Sequence, residues 1–481
     1  MHRFNKYLSV VQQEWRLLCR TRLLPVVAAI LLPAAVIALY YGHNVSAKQQ
    51  AAVDSLQQHY QQQLATLRGQ LQADTSTPQG KAAYIAASWP IVADHRLHAV
   101  VWYPPAPGAA LSIGMSDLAK YYYPIAVKSS YTPTEEKISN PLQLATGNFD
   151  TAFLLIYLMP LLSICTSCQL LSQEKEQGTL SLLLVQHGAL TRLLLLRLLI
   201  RYLILLSGML LIGTAGMAMA VSTHGFPWRE WAAWMGITAA WLSFWMGLIW
   251  FVIAWNQHTT TNLVLLFSLW LLLLIVLPAS YRLMTNQPRI DDTATNAAVQ
   301  RQLEWDTWDL PKRQLLDSFY QAYPQYRNAQ AYDTGIHSSR HAMAYYSLVD
   351  QRMQRILAAQ EANKHEAQQM LDASVRYNPA VYTQLLLNSI ARTDIADYDH
   401  FREETRRFRD QWKQFFYQRH FQDQQLTEAD YQSLPVYHPS YDPESPTRWR
   451  SGILYLLALT AVALGAGILV LKRKLNDLYK I

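Results

Sequence analysis

Apolar residues are gathered into long blocks instead of alternating with polar ones. Five windows carry no Asp, Glu, Lys or Arg: 23–47, 151–173, 202–228, 231–281 and 451–471. They are 25, 23, 27, 51 and 21 residues long. A helix needs about 20 apolar residues to cross the hydrocarbon core of a bilayer. Four windows therefore predict one span each and the longest predicts two, giving six transmembrane helices. The predicted organisation is a cytoplasmic interfacial helix (1–22), a first span (23–47) and a first extracytoplasmic domain (48–150). Spans two to five follow (151–281), then a second extracytoplasmic domain (282–449), a sixth span (450–471) and a cytoplasmic tail (472–481). The fold class is an α-helical membrane protein with two large, mostly helical insertions and some short strands in the first.

The polar segments carry their own patterns. Phe4, Tyr7, Leu8, Val11, Trp15 and Leu18 recur at helical spacing before the first span, as in a helix lying in the membrane interface. Beyond that span, Val53, Leu56, Tyr60, Leu64, Leu67 and Leu71 form a coiled-coil-like seam on a Gln-rich stretch. It predicts either pairing with another subunit or packing within its own domain. Prolines then break the helical pattern, and the runs Ala99–Tyr103 and Tyr121–Val127 read as short strands. In the second segment Asn378-Pro379 interrupts a helical pattern. Phe401, Thr405, Phe408, Trp412 and Phe415 then mark an amphipathic packing face. Pro435, Pro439, Pro443 and Pro446 form a stiff linker to the last span.

Charged residues are 16% of the chain, against about 25% in a soluble protein. This excludes a wholly soluble enzyme and a disordered chain. Three cysteines, Cys19, Cys165 and Cys168, exclude a disulfide scaffold. The Cys165/Cys168 pair has CxxC spacing inside an apolar window, where packing is a better reading than redox chemistry. The net charge of +7 decides orientation. Segments 1–22, 172–201 and 472–481 carry +4, +2 and +3, whereas 48–150 and 281–449 carry 0 and −3. Short basic segments stay on the cytoplasmic side, so both termini are inside and both large segments outside. Neither large segment offers the basic surface that a nucleic-acid partner would require. A cleaved signal peptide fits poorly, because the charged leader and the apolar window are both too long.

Seven of the fifteen tryptophans fall in 228–255. Trp228, Trp231 and Trp255 suit interface belts. Trp241, Trp245 and Trp250 lie mid-span, where bundle or lipid packing is favoured over a substrate pathway. Other constellations are sparse. His337 and His341 are four apart, as a metal pair or as packed residues. His365-Glu366 begins a zinc-protease H-E-x-x-H, but position 369 is Gln369. His95 and His98 have only Asp94 nearby and read as surface residues.

After the second span comes Gln173-Glu174-Lys175-Glu176-Gln177-Gly178-Thr179-Leu180-Ser181-Leu182-Leu183-Leu184, followed by Arg192, Arg197 and Arg201. Gly178 permits a tight bend. Thr179 is positioned to cap a following helix, and Glu174 and Glu176 offer carboxylates to a partner. Arg197 and Arg201, four apart, are placed to snorkel to the inner interface. This run resembles the E-x-E-x-G-T-L-x-x-L-L signature of ABC-2-type transporter permeases. Leu111-Ser112-Ile113-Gly114, Asn140-Pro141 with Gly147 and Asp150, and Asn378-Pro379 with Thr393-Asp394 and His400-Phe401 resemble the subgroup with two large extracytoplasmic insertions. The family usually has a proline after the leucine run, where this chain reads Gln186-His187-Gly188.

The resemblance implies that 172–190 is the coupling segment. Glu174, Lys175, Glu176, Gly178, Thr179 and Leu180 would meet a separate ABC ATPase subunit. It implies a second permease copy or close paralogue, a lipid bilayer location in an inner (plasma) membrane, and export or extraction of a substrate. No G-x-x-x-x-G-K-[ST] occurs, so ATP and Mg would act through the partner, and this chain would be a non-catalytic subunit. The apolar windows hold no mid-membrane acid of the kind an ion-coupled carrier uses. Two alternatives are a mechanotransmission complex gripping a periplasmic protein, and a membrane-anchored enzyme.

Overall fold

The computed structural model describes residues 2–128, 148–179, 190–219, 225–255, 258–284, 292–327, 339–375, 377–442 and 448–478. The first helix, α1 (His2–Arg20), buries Val10, Glu14 and Leu18 on one face. Arg22 adopts a left-handed conformation (φ 58°) and turns the chain into α2 (Leu23–Gln70). At 1.5 Å per residue this 48-residue helix is about 70 Å long. Its apolar half lies in the bundle, and its Gln-rich half continues without a break into a polar body.

The chain contains six helices long and apolar enough to cross a membrane, matching the six spans expected from the charge-free windows. They are α2, α5 (Thr151–Glu176), α6 (Leu190–Met219), α7 (Trp228–Ile253), α8 (Thr259–Ser280) and α15 (Arg448–Leu478). The centre of the bundle is α7. Its Trp234, Trp241, Trp245 and Trp250 are fully buried, so the mid-span tryptophans pack the bundle. Glycines let α15 approach: a methyl at Gly467 would sit 2.6 Å from the Trp250 ring.

Two spans contain π turns, Leu154–Leu158 in α5 and Leu272–Val276 in α8. Each is followed by a proline, Pro160 or Pro278. In π register the carbonyls of Leu155 and Leu273 should accept from those prolines, which have no N–H. Side chains take over both. Trp241 Nε1 donates to Leu155 O at 3.0 Å, and Asn378 Nδ2 donates to Leu273 O at 2.8 Å. No water is present in a hydrocarbon core to do this instead.

The polar body holds α3 (Pro78–Ser88), α4 (Pro90–Leu97) and the antiparallel strands β1 (Ala99–Trp102) and β2 (Tyr122–Ile125), with Ala99 opposite Ile125. The second segment adds α9 (Asp292–Trp308), α10 (Lys312–Ala322), α11 (Ser339–Val375), α12 (Pro379–Ala391), α13 (Ile395–Phe421) and α14 (Glu428–Gln432). Read from sequence as two domains, the segments share one core in the fold. Leu97, Val101 and Tyr103 pack with Phe401, Trp412 and Phe416. Trp412 Nε1 donates to the buried Asp94 carboxylate at 2.8 Å, and Tyr431 Oη donates to Ala87 O at 2.8 Å. Each segment thus covers apolar side chains of the other.

The seam on α2 joins this core. Val53 and Leu67 are buried, and Tyr60, Leu64 and Leu71 pack against the body. Of the two readings of the seam, packing within the chain is the one observed. The exception to the division is α12, whose Ala380, Leu386, Leu387 and Ile390 pack on the membrane bundle.

Candidate functional site: the turn after the second span and the junction to the polar body

The end of α5 is a short helical turn, Ser172–Glu176, closed by Gly178 at φ 73°. The Gly178 N–H donates to Lys175 O at 3.1 Å, and the Thr179 N–H donates to Glu174 O at 3.0 Å. A left-handed glycine followed by such back-bonds is a helix C-terminal cap. Thr179 thus caps the helix before it. Leu180 and the run to Gly188, expected to hold the following helix, lie outside the described residues.

The two glutamates are not simply offered to a partner. Glu174 Oε1 accepts from Arg197 Nη1 at 2.8 Å, and Oε2 accepts from Thr179 Oγ1 at 2.6 Å. Arg197 Nε also lies 3.3 Å from Glu14 Oε2. Glu14 Oε1 is 2.6 Å from Arg201 Nη2 and 3.0 Å from Arg201 Nε. Arg201 Nη1 donates to Thr166 O. The expected snorkelling of Arg197 and Arg201 is therefore replaced by inward pairing. A buried arginine is tolerable only when its donors are matched, and the Glu14 carboxylate and the Thr166 carbonyl match those of Arg201. The network joins α1, α5 and α6.

Glu176 serves another helix. Its Oε1 accepts the Thr259 N–H at 2.8 Å at the start of α8, and Ser172 Oγ and Thr259 Oγ1 are 2.7 Å apart. A carboxylate at a helix N-terminus satisfies an otherwise unpaired N–H and suits the positive end of the dipole. Gln173, Lys175, Glu176 and Gln177 are exposed, and of these Lys175 and Gln177 point no carboxylate at another helix. Sequence reasoning passed over Glu14. The readable signal was an acid between Val10 and Leu18 on one helix face, the single acidic residue of 1–22.

The stretch 111–114, Asp150, Asn388 and Thr393 also converge. Asp150 Oδ1 accepts the Phe153 N–H at 2.8 Å and caps α5, while Oδ2 accepts the Ile113 N–H at 2.9 Å. Ser112 Oγ donates to Asn388 Oδ1 at 2.6 Å, and the Met115 N–H donates to Thr393 O at 2.9 Å. Gly114 is left-handed (φ 49°), and a methyl there would lie 2.6 Å from Thr393 O. A methyl at Gly42 would lie 1.9 Å from Ala110 O, so α2 meets the same loop backbone to backbone. Gly42→Val is expected to lower the unfolding midpoint of the detergent-solubilised chain, at a cost of about 3 kcal/mol or more. A midpoint within a degree of wild type would refute that close approach.

Two acids at this junction titrate unusually. Burial pushes the Asp150 carboxyl up to about 6. Burial also pushes Asp397 up to about 7, although Arg392 Nη1 lies 3.5 Å away and opposes the rise. A folded-state value above the unfolded one means the native state holds its proton more tightly. The stability from these groups is complete below about pH 4 and is lost as pH rises through about 6 and 7. Thermal unfolding from pH 4.5 to 8 is expected to show this loss, and Asp397→Asn to reduce it. An unchanged slope in the variant would refute the assignment.

Other candidates bring little together. Cys165 and Cys168 are free thiols, the first exposed and the second buried. No group of three metal-ligating side chains occurs among the described residues, and His337 lies outside them. One pair escaped the sequence reading: Ser339 Oγ is 2.8 Å from His420 Nε2. The nearby acid, Asp423, pairs with Arg340 at 2.5 Å. Burial and Arg340 hold His420 down to about 4, a poor general base at neutral pH.

Residues 293–440 match a family described as a domain of unknown function (DUF3526), covering most of the second polar segment. No curated protein and no solved structure matches the chain.

Proposed function

We propose that the chain is the membrane-spanning subunit of an ATP-driven transporter of the ABC-2 type, with ATP hydrolysed by a separate subunit. The observation that carries the reading is the Glu174–Thr179 turn at the end of the second apolar helix, in a chain with no phosphate-cradling loop. The turn is suited to passing on force. Glu174 ties it to α6 and, through Arg197, to α1, and Glu176 ties it to α8. A push by an ATPase on Lys175 and Gln177 would reach three helices without bending a side chain far. Export or extraction of a substrate by a dimer of such chains in an inner membrane is the activity proposed.

The charge distribution supports cytoplasmic termini and a polar body on the opposite side. In a cysteine-free variant, a cysteine at Ser76 is expected to react with an impermeant thiol reagent in spheroplasts, and one at Gln177 is not. Labelling at Gln177 alone would reverse the orientation. The coupling role is tested by reconstituting the chain with a candidate ABC ATPase subunit. The subunit alone is expected to hydrolyse no ATP. Lys175→Glu with Gln177→Glu is expected to reduce stimulated hydrolysis about tenfold, with the unfolding midpoint unchanged. Wild-type stimulation in that variant would remove the main support for the assignment.

Mechanotransmission is a second reading with its own support. The polar body is one packed unit fixed to the bundle at Gly42, Asp150 and Asn378, so bundle motions would move it as a whole.

A further inference from the structure

The polar body carries a groove of about 500 Å³ where α2 passes the end of α4. It is lined mainly by polar and basic side chains, among them His59, Gln63, Gln70, His95, Arg96 and His98, and by no carboxylate among the described residues. His98 ends α4 in a left-handed conformation (φ 41°), and its Nδ1 lies 2.7 Å from Gln63 Nε2. The amide oxygens of Gln63 and Gln70 are buried and have no hydrogen-bond partner. An unmatched buried acceptor is unfavourable by about 1–3 kcal/mol. The last torsion of a glutamine is soft, so a turn of the amide would present either oxygen to an occupant of the groove.

Two requirements follow for that occupant. Arg96 and the three imidazoles favour an anion, and the fork of donors on arginine suits phosphate in particular. The glutamine oxygens favour a group that donates, such as hydroxyl. One small molecule combining both is a sugar phosphate. The distance from the bilayer favours a free ligand over a lipid headgroup. From residue 47, where the apolar window ends, α2 rises about 18 Å to His59 and about 35 Å to Gln70.

We propose that this groove is a binding site for a small, freely soluble sugar phosphate, with Arg96 and the histidines holding the phosphate and Gln63 and Gln70 accepting from hydroxyls. The site is independent of the proposed transport role, since it can bind whether or not the chain couples to an ATPase.

The test is calorimetric titration of the full-length chain in detergent at low ionic strength, with glucose 6-phosphate as the probe. Glucose 6-phosphate is expected to bind more tightly than inorganic phosphate or glucose. Arg96→Gln, at an exposed position, is expected to raise its Kd about tenfold or more without moving the unfolding midpoint. Gln70→Leu is expected to weaken glucose 6-phosphate while leaving inorganic phosphate unchanged. Absence of binding up to about 10 mM, or binding that Arg96→Gln leaves intact, overturns the proposal. Equal affinity for inorganic phosphate and glucose 6-phosphate overturns the part assigned to the glutamines.

Discussion

Arg201→Ala is expected to destabilise the chain by about 3–5 kcal/mol, because it leaves a buried carboxylate without its main counter-ion. Glu14 is 2% exposed and takes two contacts from Arg201, at 2.6 and 3.0 Å. Arg197 remains within 3.3 Å but is shared with Glu174. The change also strips a donor from Thr166 O. Glu14→Gln alone should cost less, since a neutral amide is easier to bury than a lone carboxylate. The double variant Glu14→Gln/Arg201→Met should be milder than Arg201→Ala, because neither charge is then left unmatched. Unfolding midpoints in one detergent read all three. A cost for Arg201→Ala within about 0.5 kcal/mol of zero would show that the pair does not hold α1 to α6.

Asn378 is the second position where one atom matters. It is 0% exposed and works at both ends of its amide. Oδ1 caps α12 by accepting the Ala380 N–H at 2.9 Å, and Nδ2 supplies the donor that Pro278 lacks, to Leu273 O. Asn378→Asp keeps the cap and replaces the donor by a buried carboxylate facing a carbonyl. Asn378→Ser keeps a cap but falls short of Leu273. Loss of the donor leaves a buried carbonyl unmatched, costing about 1–3 kcal/mol, and loss of the cap adds about 1 kcal/mol. Asp is therefore expected to be worse than Ser, with Asn378→Ala between them. If Asp is as stable as wild type, Leu273 O does not depend on Asn378. The parallel site should respond likewise: Trp241→Phe removes the donor to Leu155 O and also leaves a cavity in the packed bundle, so its cost should exceed that of losing the hydrogen bond alone.

The apolar helices were legible because their signal is a length free of charge, and nothing local competes with it. The strands at Ala99–Trp102 and Tyr122–Ile125 were legible for a similar reason, being short runs rich in β-branched and aromatic residues, the second despite Pro124 inside it. What stayed hidden were pairings across the chain. Arg201 read as an interface residue because its sequence neighbours are leucines, yet its partner Glu14 is 187 residues away. The seam at 53–71 showed an apolar stripe without showing its occupant, which is the body formed by the chain itself. At the turn, the bend at Gly178 was legible from residue type alone. The direction of the Thr179 cap was not, since it depends on which side of the glycine the helix lies. Asn378-Pro379 showed as a helix start, but its second role requires knowing where Pro278 falls in space.

The shared core of the polar body has a consequence for biosynthesis. Asp94 meets its partner Trp412 across 318 residues of chain. Ribosomes add about 5–20 residues per second, so Asp94 waits roughly 15 to 60 s after synthesis before Trp412 exists. During that interval Leu97, Val101 and Tyr103 are uncovered while four further apolar helices are being inserted. An exposed strand beside apolar side chains is prone to stick to other chains. The nascent first segment is thus a natural client for a holding chaperone, released only when the aromatic face of α13 arrives to close over it.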